Sequence, residues 1–299
     1  MGNLFGYVSS NLGIDSFGSI HDTASNLIFQ PPTNTKKLIK SLNNCERCNI
    51  FNIESKNKHK ICVGEFWPKN PNSNVNKIVI FSHGNASDIY TFSEYLQWFS
   101  DTFNVVTICY DYIGYGITVN KDGHRDQPSE KGCRESIETV VYYYLANASY
   151  KYYCQNKVLI KKSQIANYEP KIKPNNIILI GQSLGTGVVI DYASIYNWTS
   201  PIILISPYKS IPRVILDSSI SDCSFAHNTF KSNQKISKLH GPVKCIHGAA
   251  DELISAKHSS DLYNQLVNKM FSPLFIENAG HNDILDMIPN NHIEEVLMF

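Results

Sequence analysis

The segment running from Ile177 to Tyr196, IILIGQSLGTGVVIDYASIY, constrains the fold of this chain more than any other. A continuous apolar run, IILI, breaks at Gly181-Gln182-Ser183-Leu184-Gly185, and a helix-compatible run follows at once. A strand that is apolar on consecutive residues is buried on both faces, which requires a parallel sheet covered by helices. The glycines on either side of Ser183 relieve the crowding of a tight turn. A strand–turn–helix unit of this kind holds the serine in a strained conformation with its hydroxyl exposed, as in a nucleophile elbow. The helix after Ser183 also turns unpaired N–H groups and a positive dipole end toward that hydroxyl. A Gly-rich turn with a solvated serine is the plainer alternative, and the flanking strand and helix argue against it.

The rest of the chain repeats the alternation. Strands are expected at residues 61–67, 77–82, 105–111, 177–181, 202–206, 243–247 and 274–277. Helices are expected at 129–145, 186–196, 256–270 and from 282 onward. Such alternation argues an α/β sandwich. Residues 146–174, rich in Tyr, Lys and Asn, read as a solvated insertion. Residues 207–241 read as a short lid-like excursion, of the kind that covers a ligand site between two strands. The expected organisation is one domain over 61–299, preceded by an irregular extension over 1–60.

A serine hydroxyl needs a base, and the base needs an orienting acid. The strand at 243–247 ends in HGAAD, which puts Asp251 in the following loop. The strand at 274–277 leads to NAGHND and so to His281. The order Ser183, Asp251, His281 is that of α/β-hydrolases. Each residue lies beyond the C-terminal end of a strand, where open α/β sheets bind ligands. Asp283 is a competing acid, read as neighbouring support. Ser82-His83-Gly84-Asn85-Ala86 follows another strand and is expected to form an oxyanion loop. One N–H should come from Leu184 and a second from Asn85 or Ala86. His83, Gly84, Asp111 and Tyr112 are expected to support that loop. The chemistry calls for no cofactor and no metal.

Composition excludes other classes. The net charge is +1, from 27 basic and 26 acidic residues, and only Arg47, Arg125, Arg134 and Arg213 are arginines. That is not the footprint of a nucleic-acid binder. No apolar run has the length that spans a bilayer. The first twenty residues lack the basic and apolar regions of a secretory signal. The eight cysteines are therefore expected as reduced thiols of a cytoplasmic protein, with Cys109 and Cys245 buried in apolar runs. Cys45 and Cys48 form one CxxC without the second pair that a zinc site needs. Gly2, after Met1, is a candidate for N-myristoylation, although Gly6 stands where Ser or Thr is usual. One acyl chain would give weak, reversible attachment to the cytosolic face of a membrane.

FSHGNASDI, YDYIGYG, NIILIGQSLGTG, SPYKSIPRV, PVKCIHGAADELI and AGHNDI occur in this order between about Cys62 and Leu285. Together they resemble the corresponding blocks of the α/β-hydrolase-domain-17 group, serine hydrolases that remove palmitate from cytosolic cysteines. The resemblance implies an α/β-hydrolase fold, a mostly parallel central sheet with helices on both faces. It also implies Ser183 as nucleophile, Asp251 as acid and His281 as base, with an acylated protein as substrate. The chain departs from the group in two ways: no cysteine precedes Cys45, where the group has an acylated cluster, and 146–174 is long. The alternatives are a carboxylesterase or lysophospholipase acting on lipid or small esters, and a non-catalytic α/β-hydrolase scaffold.

Overall fold

The computed structural model describes residues 28–33, 42, 47–69, 77–146, 174–216 and 230–299. Gly2, Gly6, Cys45, most of 146–174 and residues 217–229 of the lid-like excursion lie outside them. Eight strands form one sheet: β1 Cys48–Glu54, β2 Lys60–Phe66, β3 Ile78–Ser82, β4 Val106–Tyr110, β5 Ile177–Gln182, β6 Ile202–Ile205, β7 Val243–Gly248 and β8 Leu274–Ile276. Their spatial order is β1-β2-β4-β3-β5-β6-β7-β8. β2 runs antiparallel to both neighbours, and every other pairing is parallel.

The consecutive apolar residues divide between the two faces, as burial on both sides requires. Ile78 and Ile80, Ile177 and Leu179, and Ile202 and Leu204 join one core. Val79 and Phe81, Ile178 and Ile180, and Ile203 and Ile205 join the other. Helices α2 (Glu130–Ala146), α3 (Leu184–Ile195) and α4 (Ala256–Gln265) cover the first face. Helices α1 (Ile89–Phe103) and α5 (Asn290–Leu297) cover the second. Each fully buried Ile or Phe of these clusters contributes about 1.5–3 kcal/mol relative to exposure.

The sheet begins earlier than expected, because β1 lies inside the supposedly irregular residues 1–60. It is an edge strand with one neighbour, and Asn49, Asn52 and Glu54 interrupt its apolar residues Ile50, Phe51 and Ile53, so no long apolar run marks it. Helix α1, aromatic-rich, was not expected either. Asp88 caps it: its carboxylate accepts from the Thr91 amide at 2.9 Å, and the Asp88 amide donates to the Thr91 hydroxyl at 2.8 Å. Buried Ile89, Phe92, Leu96 and Phe99 trace its inner stripe. α4 stops at Gln265, not 270, because Leu266 turns into the core with its N–H on the Tyr263 carbonyl. The C-terminal helix is split into Ile284–Met287 and α5 at Pro289, which has no N–H to continue the first turn. Buried Lys244 on β7 pairs with Glu295 and pins α5 to the sheet. Among the described residues no helix is long and apolar enough to cross a membrane.

Candidate active site

The register pairs Ser82 with Gly181 and Gln182 with Ile205, so the C-terminal ends of β3, β5 and β6 lie side by side. Ser183 leaves β5 at φ 51° and ψ −117°, a region that L-residues avoid and that costs about 1–3 kcal/mol. Neighbours hold it there. Its N–H donates to the Ile205 carbonyl at 2.9 Å, and its carbonyl accepts from the Thr186 amide at 2.9 Å. The two glycines are required by contact: a Cβ on Gly181 would sit 2.5 Å from the Gly185 carbonyl oxygen, and one on Gly185 2.0 Å from that of Ser82. The sequence GQSLG therefore folds as a sharp turn pressed against the end of β3.

His281 and Asp251 come to this turn from the loops after β8 and β7. His281 Nε2 lies 3.0 Å from Ser183 Oγ, and its Nδ1 lies 2.7 Å from Asp251 Oδ2. The Asp251 carboxylate is held on all sides. Oδ1 accepts from the Leu253 amide at 2.9 Å and the Ile254 amide at 2.8 Å. His247, fully buried on β7, donates from Nε2 to the Ile254 carbonyl at 2.8 Å and lies 3.3 Å from Oδ2. Burial would raise the Asp251 carboxyl, but hydrogen bonds from His247, His281 and the Ile254 amide hold it well below the usual carboxylate range. An ionised Asp251 accepts, so His281 carries its proton on Nδ1 and presents a bare Nε2 to the serine hydroxyl. Asp283 does not compete, since its Oδ1 accepts from the Gly280 amide at 2.6 Å within its own loop.

The HG loop lies directly against the serine. A Cβ on Gly84 would stand 2.5 Å from Gln182 Oε1 and 3.6 Å from Ser183 Cβ. Leu184 opens α3, so its N–H has no intrahelical partner. Ala86 takes φ 52°, an unusual conformation for a residue with a Cβ. His83 is fully buried, with Nδ1 donating to the Gly84 carbonyl at 2.8 Å and its ring 4.2 Å from that of Tyr112. Burial pushes its pKa down to about 4, so it is a neutral prop for the loop. Tyr112 donates to the His83 carbonyl at 2.6 Å. Asp111, whose pKa burial pushes up to about 7, accepts from the Ile89 amide at 2.9 Å and the Ile117 amide at 3.2 Å. It thereby ties the start of α1 to the glycine loop after β4.

Three groups at the site escaped the sequence reading: His247, Tyr115 and the segment Ile28–Gln30. The Tyr115 hydroxyl donates to Asn85 Oδ1 at 2.7 Å, and Ile28 and Gln30 pair with the same Asn85 side chain. His247 had a legible signal, a histidine in a strand whose every residue is buried, where a polar side chain must find a partner on folding.

A protein of Acanthamoeba polyphaga mimivirus named α/β hydrolase L404 is 39% identical over 280 residues, 93% of this chain and 94% of the viral one. The chain belongs to the α/β-hydrolase family. α/β-Hydrolase domain-containing protein 17C of Xenopus tropicalis is 34% identical over 206 residues, covering 69% of this hydrolase and 56% of the frog protein. The hydrolase thus spans little more than half the length of that relative. Among solved structures, the Pyrococcus furiosus esterase Pf2001 superposes with a TM-score of 0.63 at 15% identity, over 90% of this chain and 97% of the esterase. Est1E from Butyrivibrio proteoclasticus, solved with ferulic acid bound, gives 0.58 at 18% identity over 82% and 98%. Both likenesses establish the fold. No family model matches the chain.

Proposed function

We propose that this α/β hydrolase is a serine hydrolase that cleaves acyl thioesters and esters, with palmitoyl groups on protein cysteines as its substrate class. The observation that carries the reading is the relay Ser183–His281–Asp251, closed by contacts of 3.0 and 2.7 Å at a strained serine. Ser183 Oγ attacks the acyl carbonyl carbon while His281 Nε2 takes its proton. The carbonyl oxygen becomes an oxyanion that receives the N–H of Leu184 and one from Asn85 or Ala86. The tetrahedral adduct then collapses, the C–S bond breaks, and the thiolate leaves with the proton from His281. A water gives its proton to His281 and attacks the acyl-enzyme, which releases the fatty acid and restores Ser183. Asp251 stays ionised and stabilises the imidazolium through Nδ1.

The acyl-cysteine substrate rests on the resemblance to the domain-17 group across the elbow, the HG loop and the Asp and His loops. A cytoplasmic enzyme acting on such substrates would meet them at a membrane surface, and a myristoylated Gly2 would supply a weak anchor there. A substrate panel tests the reading. Turnover of a palmitoyl-cysteine peptide should exceed that of acetyl esters and lysophospholipids by about tenfold or more in kcat/KM. Preferential turnover of oxygen esters or lysolipids would replace thioester cleavage with lipid or small-ester hydrolysis.

A further inference from the structure

The Asn85 side chain is engaged on both its nitrogen and its oxygen. Its Nδ2 donates to the Ile28 carbonyl at 2.6 Å, and its Oδ1 accepts from the Gln30 amide at 2.9 Å. These are the carbonyl and amide that flank Phe29, the pair a neighbouring parallel strand would take up. Tyr115 adds a third bond, its hydroxyl donating to Oδ1 at 2.7 Å. A carboxamide offers two donors and two acceptors, and three of the four are engaged within the protein. The partners also fix the orientation of the amide, because a carbonyl must face nitrogen and an N–H must face oxygen.

The segment so gripped is anchored on its other side. Phe29 is only 4% exposed and meets the Phe230 ring edge-on at 6.4 Å. Phe230 in turn packs on α3, where a Cβ on Gly187 would lie 2.9 Å from it. Gln30 precedes Pro31 and Pro32, which biases it to the extended backbone that such pairing needs. Ile28–Gln30 is therefore held between the Asn85 side chain and Phe230, the ring that packs on the helix following Ser183. Gly84, the residue before Asn85, sits beside Ser183, so a shift of Asn85 would pass into backbone that touches the nucleophile turn.

We propose that Asn85 is a positioning residue of the hydrolase reaction: its carboxamide clamps Ile28–Gln30 against the HG loop and thereby holds the oxyanion-binding N–H groups in place. The proposal rests on the serine-hydrolase reading above. It assigns the residues ahead of β1 a part in the chemistry, because they supply the strap.

Full-length Asn85→Ala, Gln30→Pro and Tyr115→Phe, each compared with wild type on one short-chain ester, test this. Gln30→Pro deletes one N–H from the clamp, and Tyr115→Phe deletes one hydroxyl. Loss of a whole oxyanion donor costs about 10²–10³ in kcat, so loosening the loop should cost Asn85→Ala about tenfold. KM should stay within about a factor of two, since a transition-state contact is affected and ground-state binding is not. Gln30→Pro and Tyr115→Phe should lose kcat in the same way by a smaller factor. Gln30→Pro added to Asn85→Ala should cost nothing further, because both break one clamp. An Asn85→Ala protein with wild-type kcat, or additive losses in the double variant, overturns the proposal. If Asn85→Ala does not fold, unchanged kcat in both Gln30→Pro and Tyr115→Phe overturns it. A wild-type protein that turns over neither esters nor thioesters fails the hydrolase reading itself, a result distinct from active wild type with indifferent variants.

Discussion

Asp251→Asn should lower kcat by about 10⁴-fold with KM nearly unchanged, a loss of about 5 kcal/mol of transition-state stabilisation. The size follows from which atoms the carboxylate feeds. Oδ1 accepts from the amides of Leu253 and Ile254, so an asparagine must place its oxygen there to keep both bonds. Its NH2 group would then occupy the position of Oδ2, 2.7 Å from His281 Nδ1, and present a donor where an acceptor stands now. The imidazole would answer by moving its proton to Nε2, the nitrogen that must accept from Ser183. The loop keeps its backbone bonds, so the variant should fold and bind substrate while lacking a base. Steady-state kinetics with a thermal melt checks both halves. A loss of less than about tenfold would mean that another group orients His281. His281→Ala should be as damaging as the double variant, because the relay acts as a unit.

The second large effect falls on the fold. Gly185→Ala should destabilise the protein by more than about 3 kcal/mol, beyond the ordinary range for overpacking. The added Cβ would lie 2.0 Å from the Ser82 carbonyl oxygen, 2.6 Å from its carbon and 2.9 Å from the His83 carbonyl oxygen. All three atoms are backbone at the end of β3, and no side-chain rotation can clear them. Either α3 lifts from the sheet or β3 shifts, and each movement takes the elbow away from the HG loop. For a chain of this size the melting temperature should fall by at least about 6–12 °C, or soluble protein should be lost. A variant that melts with the wild type would contradict the close approach of elbow and strand.

These two cases mark what the sequence could disclose. Strands β3, β5 and β6 were legible because burial on both faces leaves a continuous apolar run, and the divided cores fulfil that demand. Ser183, Asp251 and His281 were legible because each lies beyond the C-terminal end of a strand, and the sheet brings strand ends together whatever their separation in the chain. β1 was hidden because an edge strand needs only a half-buried, polar-spaced pattern. α1 was hidden because its Tyr, Phe and Thr residues are indifferent helix formers, and its signal lay in Asp88 and Thr91, at the cap. The Asn85 clamp had no local signature at all. Its partners, Ile28, Gln30 and Tyr115, carry no periodicity that links them, and only the folded sheet sets them side by side. His247 showed in the sequence as a polar residue of a buried strand, but its partner did not, because its bond to the Ile254 carbonyl forms only when the loop after β7 folds back over its strand.

If Ser183 is an activated nucleophile, a fluorophosphonate should capture it covalently. Intact-mass measurement after exposure to a fluorophosphonate, followed by peptide mapping, should find one adduct per chain, on Ser183. Ser183→Ala should take up none, and Asp251→Asn should label far more slowly than wild type. A wild-type protein that stays unmodified, or a Ser183→Ala variant that takes up the same adduct, would mean that Ser183 is not the nucleophile.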